Sequence, residues 1–191
     1  MRLGVFGGTF DPPHLGHLIV AEYARVSLQL DTILFIPADK NPLKENHTQS
    51  SADDRLAMTR LAIASNPAFE LSEMELHRTG PSYTIDTIRE LRATHAPDEL
   101  VLIVGHDNLE QFPRWHQVEA LVRECRVVVC KRTTEGEPID EHLRSMVEEL
   151  DSPIVELSST MLRERVTRRE SIRYMVPDAV IEYIETHALY R

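Results

Sequence analysis

The chain has little cysteine, no long apolar run and a deficit of positive charge. Its only cysteines are Cys125 and Cys130, too few for a disulfide framework. Cys130 closes the run Arg126-Val127-Val128-Val129-Cys130, which reads as a buried strand, and no second Cys or His pair completes a zinc site. No apolar stretch is long enough to span a bilayer. Lys and Arg number 21 against 31 Asp and Glu, a formal net charge of −10, which argues against a nucleic-acid surface or a basic membrane footprint. The opening Met1-Arg2-Leu3-Gly4-Val5-Phe6-Gly7-Gly8 lacks a signal-peptide layout because its glycine turn arrives too soon, so a cytoplasmic location is expected. Aromatics make up 6% of the chain, with Trp115 the single tryptophan.

What is present is a chain of 191 residues, 42% apolar and 27% charged. That suits one globular domain over residues 1–191. Strand-like and helix-like segments alternate. Expected strands are Leu3–Phe6, Thr32–Ile36, Phe69–Leu71, Met74–His77, Leu100–Val104, Arg126–Cys130 and Ile154–Leu157. Expected helices are Leu15–Leu28, one entered at Ser51 with Asp54 three residues on, Thr84–Thr94, Asp107–Phe112 and Trp115–Glu124 broken at Pro113, one near Glu141–Leu150, Ser158–Val166 and Pro177–His187. Residues 38–50 read as a long polar loop. The order predicts an α/β fold, a Rossmann-like doubly wound parallel sheet with helices on both faces. Right-handed crossovers gather the strand ends, with Gly7, Gly105 and Ser158, on one ligand-binding edge.

The densest signal is Gly7-Gly8-Thr9-Phe10-Asp11-Pro12-Pro13-His14-Leu15-Gly16-His17. A strand, a glycine turn and a helix start meet within it. Free backbone N–H groups and a helix dipole then converge on one point, which suits an anion. His14 and His17 share a helix face there. The spacing matches neither the dinucleotide fingerprint nor a P-loop.

The same stretch resembles the two-histidine motif of the nucleotidyltransferase superfamily. Leu157-Ser158-Ser159-Thr160-Met161-Leu162-Arg163 is similar to that superfamily's second signature, Ile-Ser-Ser-Thr-x-x-Arg. Ser82-Tyr83-Thr84-Ile85-Asp86-Thr87, Gly105-His106-Asp107 with Trp115 downstream, and Arg173-Tyr174-Met175-Val176-Pro177 extend the likeness to the bacterial nicotinate-mononucleotide adenylyltransferase family. The resemblance implies transfer of AMP from ATP to nicotinate mononucleotide in NAD biosynthesis. Nicotinamide mononucleotide or 4′-phosphopantetheine as acceptor, or a non-catalytic nucleotide sensor, are the competing readings. Ser82–Thr87 and Trp115 favour a pyridine nucleotide.

It further implies that His14 and His17 are catalytic donors to the ATP phosphates, with His17 on the α-phosphate. A nearby dianion favours the doubly donating imidazolium. Gly7, Gly8, Thr9, Phe10, Gly16 and Gly105 join them in the ATP site. Ser158, Ser159, Thr160 and Arg163 hold the outer phosphates, and the closing stretch 158–191 completes that site. A plain Ser/Thr N-cap is the structural alternative for Ser158. Trp115 stacks on the pyridine ring, and Thr84 with the backbone near His116 binds the nicotinate carboxylate. Asp107 accepts from a ribose hydroxyl, and Lys44 meets a nucleotide phosphate. The chain departs from the family pattern at Leu43, where histidine is frequent, at His106, where a small residue is usual, and at Arg169, where glycine is frequent and a changed turn is expected. No acidic cluster has metal-cage spacing, so no protein-held metal is expected and Mg²⁺ arrives on the ATP phosphates. Oligomeric state is left open.

Overall fold

The computed structural model describes residues 1–38, 49–105, 108–109, 111–130 and 145–191. The expectations for Lys44, Leu43, His106 and Asp107, and for 39–48 and 141–144, lie outside the described residues.

Six strands form one parallel sheet: β1 (Arg2–Gly8), β2 (Thr32–Pro37), β3 (Phe69–Leu71), β4 (Glu99–Gly105), β5 (Arg126–Cys130) and β6 (Glu148–Leu150), in the order β3-β2-β1-β4-β5-β6. This is the doubly wound order, and its direction reverses between β1 and β4, where ligands bind beyond the strand ends. Both faces are buried, so alternate residues of one strand serve different cores. Ile33 and Phe35 face the layer of α1 (Leu15–Ser27), α2 (Ala52–Ile63), α5 (Ser159–Thr167) and α6 (Asp178–Thr186). Leu34 and Ile36 face α3 (Thr84–His95) and α4 (Val118–Glu124). Cys125 and Cys130 are free and buried, and burial pushes their thiols up to about 12 and about 11, which makes them inert. Among the described residues no helix is long and apolar enough to cross a membrane.

Several expected elements give way. Met74–His77 is a turn and not a strand. Its Glu75 is buried and accepts from the Thr87 hydroxyl at 2.7 Å, while Arg78 donates to the same hydroxyl oxygen at 2.9 Å. Ile154–Leu157 is not a strand; the last strand is Glu148–Leu150, inside the stretch expected to be helical. Parallel pairing with Val128–Cys130 and two Arg126–Glu148 bonds of 2.8 and 2.7 Å hold it, so partner contacts override local preference. Between Trp115 and Glu124 only Val118–Glu124 is α-helical, and Phe112–Arg114 is a short 3₁₀ turn around Pro113. Ser158 therefore does not follow a strand directly, although it reaches the expected edge. Arg169 follows α5 with φ 58°, a left-handed position that favours glycine.

The Ser51–Asp54 capping box is present at α2. Ser51 Oγ accepts from the Asp54 amide at 3.0 Å and donates to Asp54 Oδ2 at 2.6 Å. The bond from the Ser51 hydroxyl, with one from the Tyr183 hydroxyl, holds the Asp54 carboxyl below its usual range. Ser51→Ala should cost about 1 kcal/mol at neutral pH. A carboxyl held low in the folded state adds stability above its unfolded pKa and loses it as pH falls through the folded one. Urea midpoints should therefore show the wild-type–variant gap narrowing, without vanishing, as pH drops below about 4.

Candidate functional site

β1 ends at Gly8 and α1 begins at Leu15, and the loop between them carries the site. The Phe10 ring demands glycine at position 8, because a Cβ there would lie 2.8 Å from it. Phe10 has φ 51° and is 2% exposed. Its ring packs edge-on to Phe6 at 5.9 Å and to His17 at 5.1 Å. Phe10 thus contributes a wall behind His17, and its ring is not available to a ligand.

His14 caps α1 and is buried, with its ring stacked on His17 at 3.7 Å and 24°. The His14 backbone N–H donates to His17 Nδ1 at 3.1 Å. With Nδ1 accepting, the His17 proton sits on Nε2, and the ring offers one donor. Forming the imidazolium expected beside bound phosphate would give up this bond, because a protonated Nδ1 cannot accept it. Gly16 makes the stack possible, because a Cβ there would come 2.9 Å from His14 Nδ1. At Gly7 a Cβ would meet nothing closer than a carbonyl oxygen at 4.0 Å, so no packing contact demands glycine. Thr9 is half-buried beside them.

The loop is held at three of its carbonyl oxygens, by side chains of two helices. Arg55 Nη1 donates to the Thr9 carbonyl at 3.0 Å and to that of Ala38 at 2.6 Å. Arg163 Nη1 donates to the Asp11 carbonyl at 2.8 Å, and Ser159 Oγ to the Pro12 carbonyl at 2.9 Å. The Asp11 side chain is buried and accepts from the Gln49 amide at 2.8 Å, the Tyr190 hydroxyl at 2.6 Å and the Ser50 hydroxyl. The two signature stretches, remote in sequence, therefore meet as expected.

The second stretch is partly committed to that bracing. Ser158 is the N-cap of α5 and accepts from the Met161 amide at 3.2 Å, so the structural alternative for it holds. The Ser159 hydroxyl proton goes to Pro12. Thr160 Oγ1 accepts from Arg163 Nη2 at 3.2 Å, leaving its own proton to offer. A cavity of about 340 Å³ opens here, lined by Gln49, Thr160, Arg163, Glu164, Thr167 and Arg168. Neither α1 nor α5 has an acidic residue in its first turn, whereas α2, α3 and α6 do. Both dipole ends are thus left without a competing carboxylate, although the Met175 carbonyl takes the Leu15 amide of α1 at 2.9 Å.

Gly105 ends β4, next to β1 across the switch point. On the β4 side, Tyr83 caps α3 without a side-chain cap bond, and Thr84 is the first residue of that helix. The Tyr83 ring lies 4.3 Å from exposed His116. Trp115 is half-buried, 5.2 Å from Phe112. Thr84, Trp115 and His116 are thus gathered in one neighbourhood, with Tyr83 joining them. Sequence reasoning assigned no site role to Tyr83, Arg55, Ser50 or Tyr190, nor to the Asp11 side chain. Asp11 and Tyr83 lie within the family motifs, whereas the other three carry no local signal. Among the described residues no group of three or more His, Cys, Asp or Glu is placed to hold a metal ion.

The cytidylyltransferase-like family model matches residues 5–165. A probable nicotinate-nucleotide adenylyltransferase of Oceanobacillus iheyensis is 45% identical, covering 99% of this chain and 96% of the relative. One of Roseiflexus sp. is also 45% identical, covering 99% and 98%. The Plasmodium falciparum nicotinic acid mononucleotide adenylyltransferase, solved with NaAD, superposes with a TM-score of 0.82 at 20% identity, covering 99% of this chain and 97% of that one. At that identity the superposition speaks for the fold. Family model and full-length relatives together place this chain in the cytidylyltransferase-like family, among the nicotinate-nucleotide adenylyltransferases.

Proposed function

We propose that this chain transfers the AMP moiety of ATP to nicotinate mononucleotide, forming nicotinate adenine dinucleotide and releasing pyrophosphate, within one domain over 1–191 whose residues 158–191 complete the phosphate site. The observation that carries this reading is the stacked His14–His17 pair at the start of α1, braced through loop carbonyls against Ser159 and Arg163 of α5. The nucleophile is a phosphate oxygen of the acceptor, already ionised, so no side chain has to take its proton. It forms a bond to the α-phosphorus while the bond to the bridging oxygen of the β-phosphate breaks, and that electron pair leaves on pyrophosphate. The protein's part is alignment and charge stabilisation. His17 Nε2–H, His14, the amides of Gly16, Ser159 and Thr160, the Thr160 hydroxyl and Arg163 supply it.

Mg²⁺ belongs to this scheme as part of the incoming ATP complex, where it neutralises triphosphate charge. The donor set fits that assignment, because both oxygens of the buried Asp11 carboxylate are already taken. On the acceptor side, Trp115 offers a stacking face for the pyridine ring. Thr84 and the backbone near His116 meet the nicotinate carboxylate. Asp86 lies exposed in the same helical turn and opposes an anion, so the local hydroxyl and amides must outweigh it. Asp107 and Lys44 keep their proposed ribose and phosphate contacts.

Pyrophosphate release should be measured with ATP and each of nicotinate mononucleotide, nicotinamide mononucleotide and 4′-phosphopantetheine. Release should be fastest with the first, and equal rates on acid and amide would refute the carboxylate contact. Release with none of the three would favour the nucleotide sensor. His17→Ala should keep its fold by circular dichroism and lose on the order of 10²–10³ in kcat.

The glycines separate two roles. Gly7→Ala should leave the denaturation midpoint unchanged and raise KM for ATP about tenfold, since only the ligand needs that space. Gly16→Ala should instead depress kcat, because its Cβ displaces the His14 ring. An unchanged KM in Gly7→Ala removes Gly7 from the ATP site.

A further inference from the structure

Asp11 stands where three distant segments meet. Its carboxylate takes the Tyr190 hydroxyl on Oδ1 at 2.6 Å and the Gln49 amide on Oδ2 at 2.8 Å, with the Ser50 hydroxyl also on Oδ1. Its own carbonyl holds Arg163 at 2.8 Å. The neighbouring Pro12 carbonyl holds Ser159. The Asp11 position therefore sets where Arg163 points and how the peptide leading to His14 is turned. Tyr190 lies beyond α6, is 8% exposed, and has φ 61°. Its carbonyl accepts from the Thr167 hydroxyl of α5 at 2.8 Å. One residue thus grips α5 through its backbone carbonyl and the loop, at Asp11, through its hydroxyl.

We propose that Tyr190 is a positioning residue of the phosphate site, clamping Asp11 so that His14 and Arg163 face the triphosphate together. It does not touch substrate. A buried hydroxyl donating to a buried carboxylate is a strong bond whose loss leaves the acceptor under-satisfied. Burial, with the bond to Asp11, pushes the phenol above its usual range, so it stays a neutral donor at working pH. Acceptor binding, built from Thr84, Trp115 and His116 across the sheet switch, is independent of the clamp. The inference rests on the proposed reaction for its kinetic readout alone.

The test compares full-length wild type with Tyr190→Phe, which keeps the buried ring, and with Ser50→Ala, which removes the other hydroxyl from Oδ1. Tyr190→Phe should lower kcat/KM for ATP about tenfold and shift KM for nicotinate mononucleotide by less than about twofold. Exchange of the His14 amide should accelerate relative to the Val101 amide of β4, and a non-hydrolysable ATP analogue should bind more weakly. Ser50→Ala should move every readout in the same direction, by less. A fall in melting temperature with kcat/KM for ATP, analogue affinity and the His14:Val101 exchange ratio all unchanged would overturn the clamp. If wild type releases no pyrophosphate, the proposed reaction fails, and the exchange ratio and analogue affinity still decide the clamp.

Discussion

The site depends on where three carbonyl oxygens go. The peptide leaving β1 has Thr9, Asp11 and Pro12 carbonyls turned onto side chains from elsewhere, Arg55, Arg163 and Ser159. A buried carbonyl without a partner costs about 1–3 kcal/mol, so this loop cannot take its shape until α2 and α5 have docked. The helices that carry the anchors also complete the sheet's upper layer. Forming the core and forming the phosphate loop are consequently one event, and the two histidines inherit their placement from tertiary packing and not from local preference.

That dependence decides what could be read from the sequence. The β1–loop–α1 unit was legible because its strand, glycines and helix cap lie within one stretch. The Ser51–Asp54 box was legible for the same reason, since both partners are three residues apart. The alternation of Ile33, Leu34, Phe35 and Ile36 between two cores needed only a period of two. What escaped was fixed by partners remote in sequence. Glu148-Glu149-Leu150 has little strand character, and pairing with β5 makes it a strand. Met74–His77 alternates like a strand, and the buried Glu75–Thr87 bond makes it a turn. Arg55 and Tyr190 carry no signature at all, because each acts through a hydrogen bond to a residue of another element, and that of Tyr190 spans nearly the whole chain.

The electrostatics point the same way. An acidic residue in a helix's first turn stabilises the helix by about 0.3–1 kcal/mol, and α2, α3 and α6 all use one. The two helices that start at the loop, α1 and α5, forgo it. An acid there would compete with any anionic ligand for the same amides. On a chain with net charge −10, leaving those two ends bare creates a local attraction for phosphate that the overall field does not supply.

Phe10 shows how the remaining conflict is resolved. Its φ of 51° is a conformation that costs a non-glycine residue roughly 1–2 kcal/mol, and glycine would remove the cost. Glycine would also remove the ring that fills the space between Phe6, Phe35 and His17. Burying a phenyl ring contributes about 1.5–3 kcal/mol, enough to offset the strained backbone. The exchange also leaves His17 with a rigid wall on one side and the His14 ring on the other. An imidazole held so can aim Nε2 in one direction only, and the neighbouring glycines at 8 and 16 are small because that wall and that stack leave no room for a Cβ.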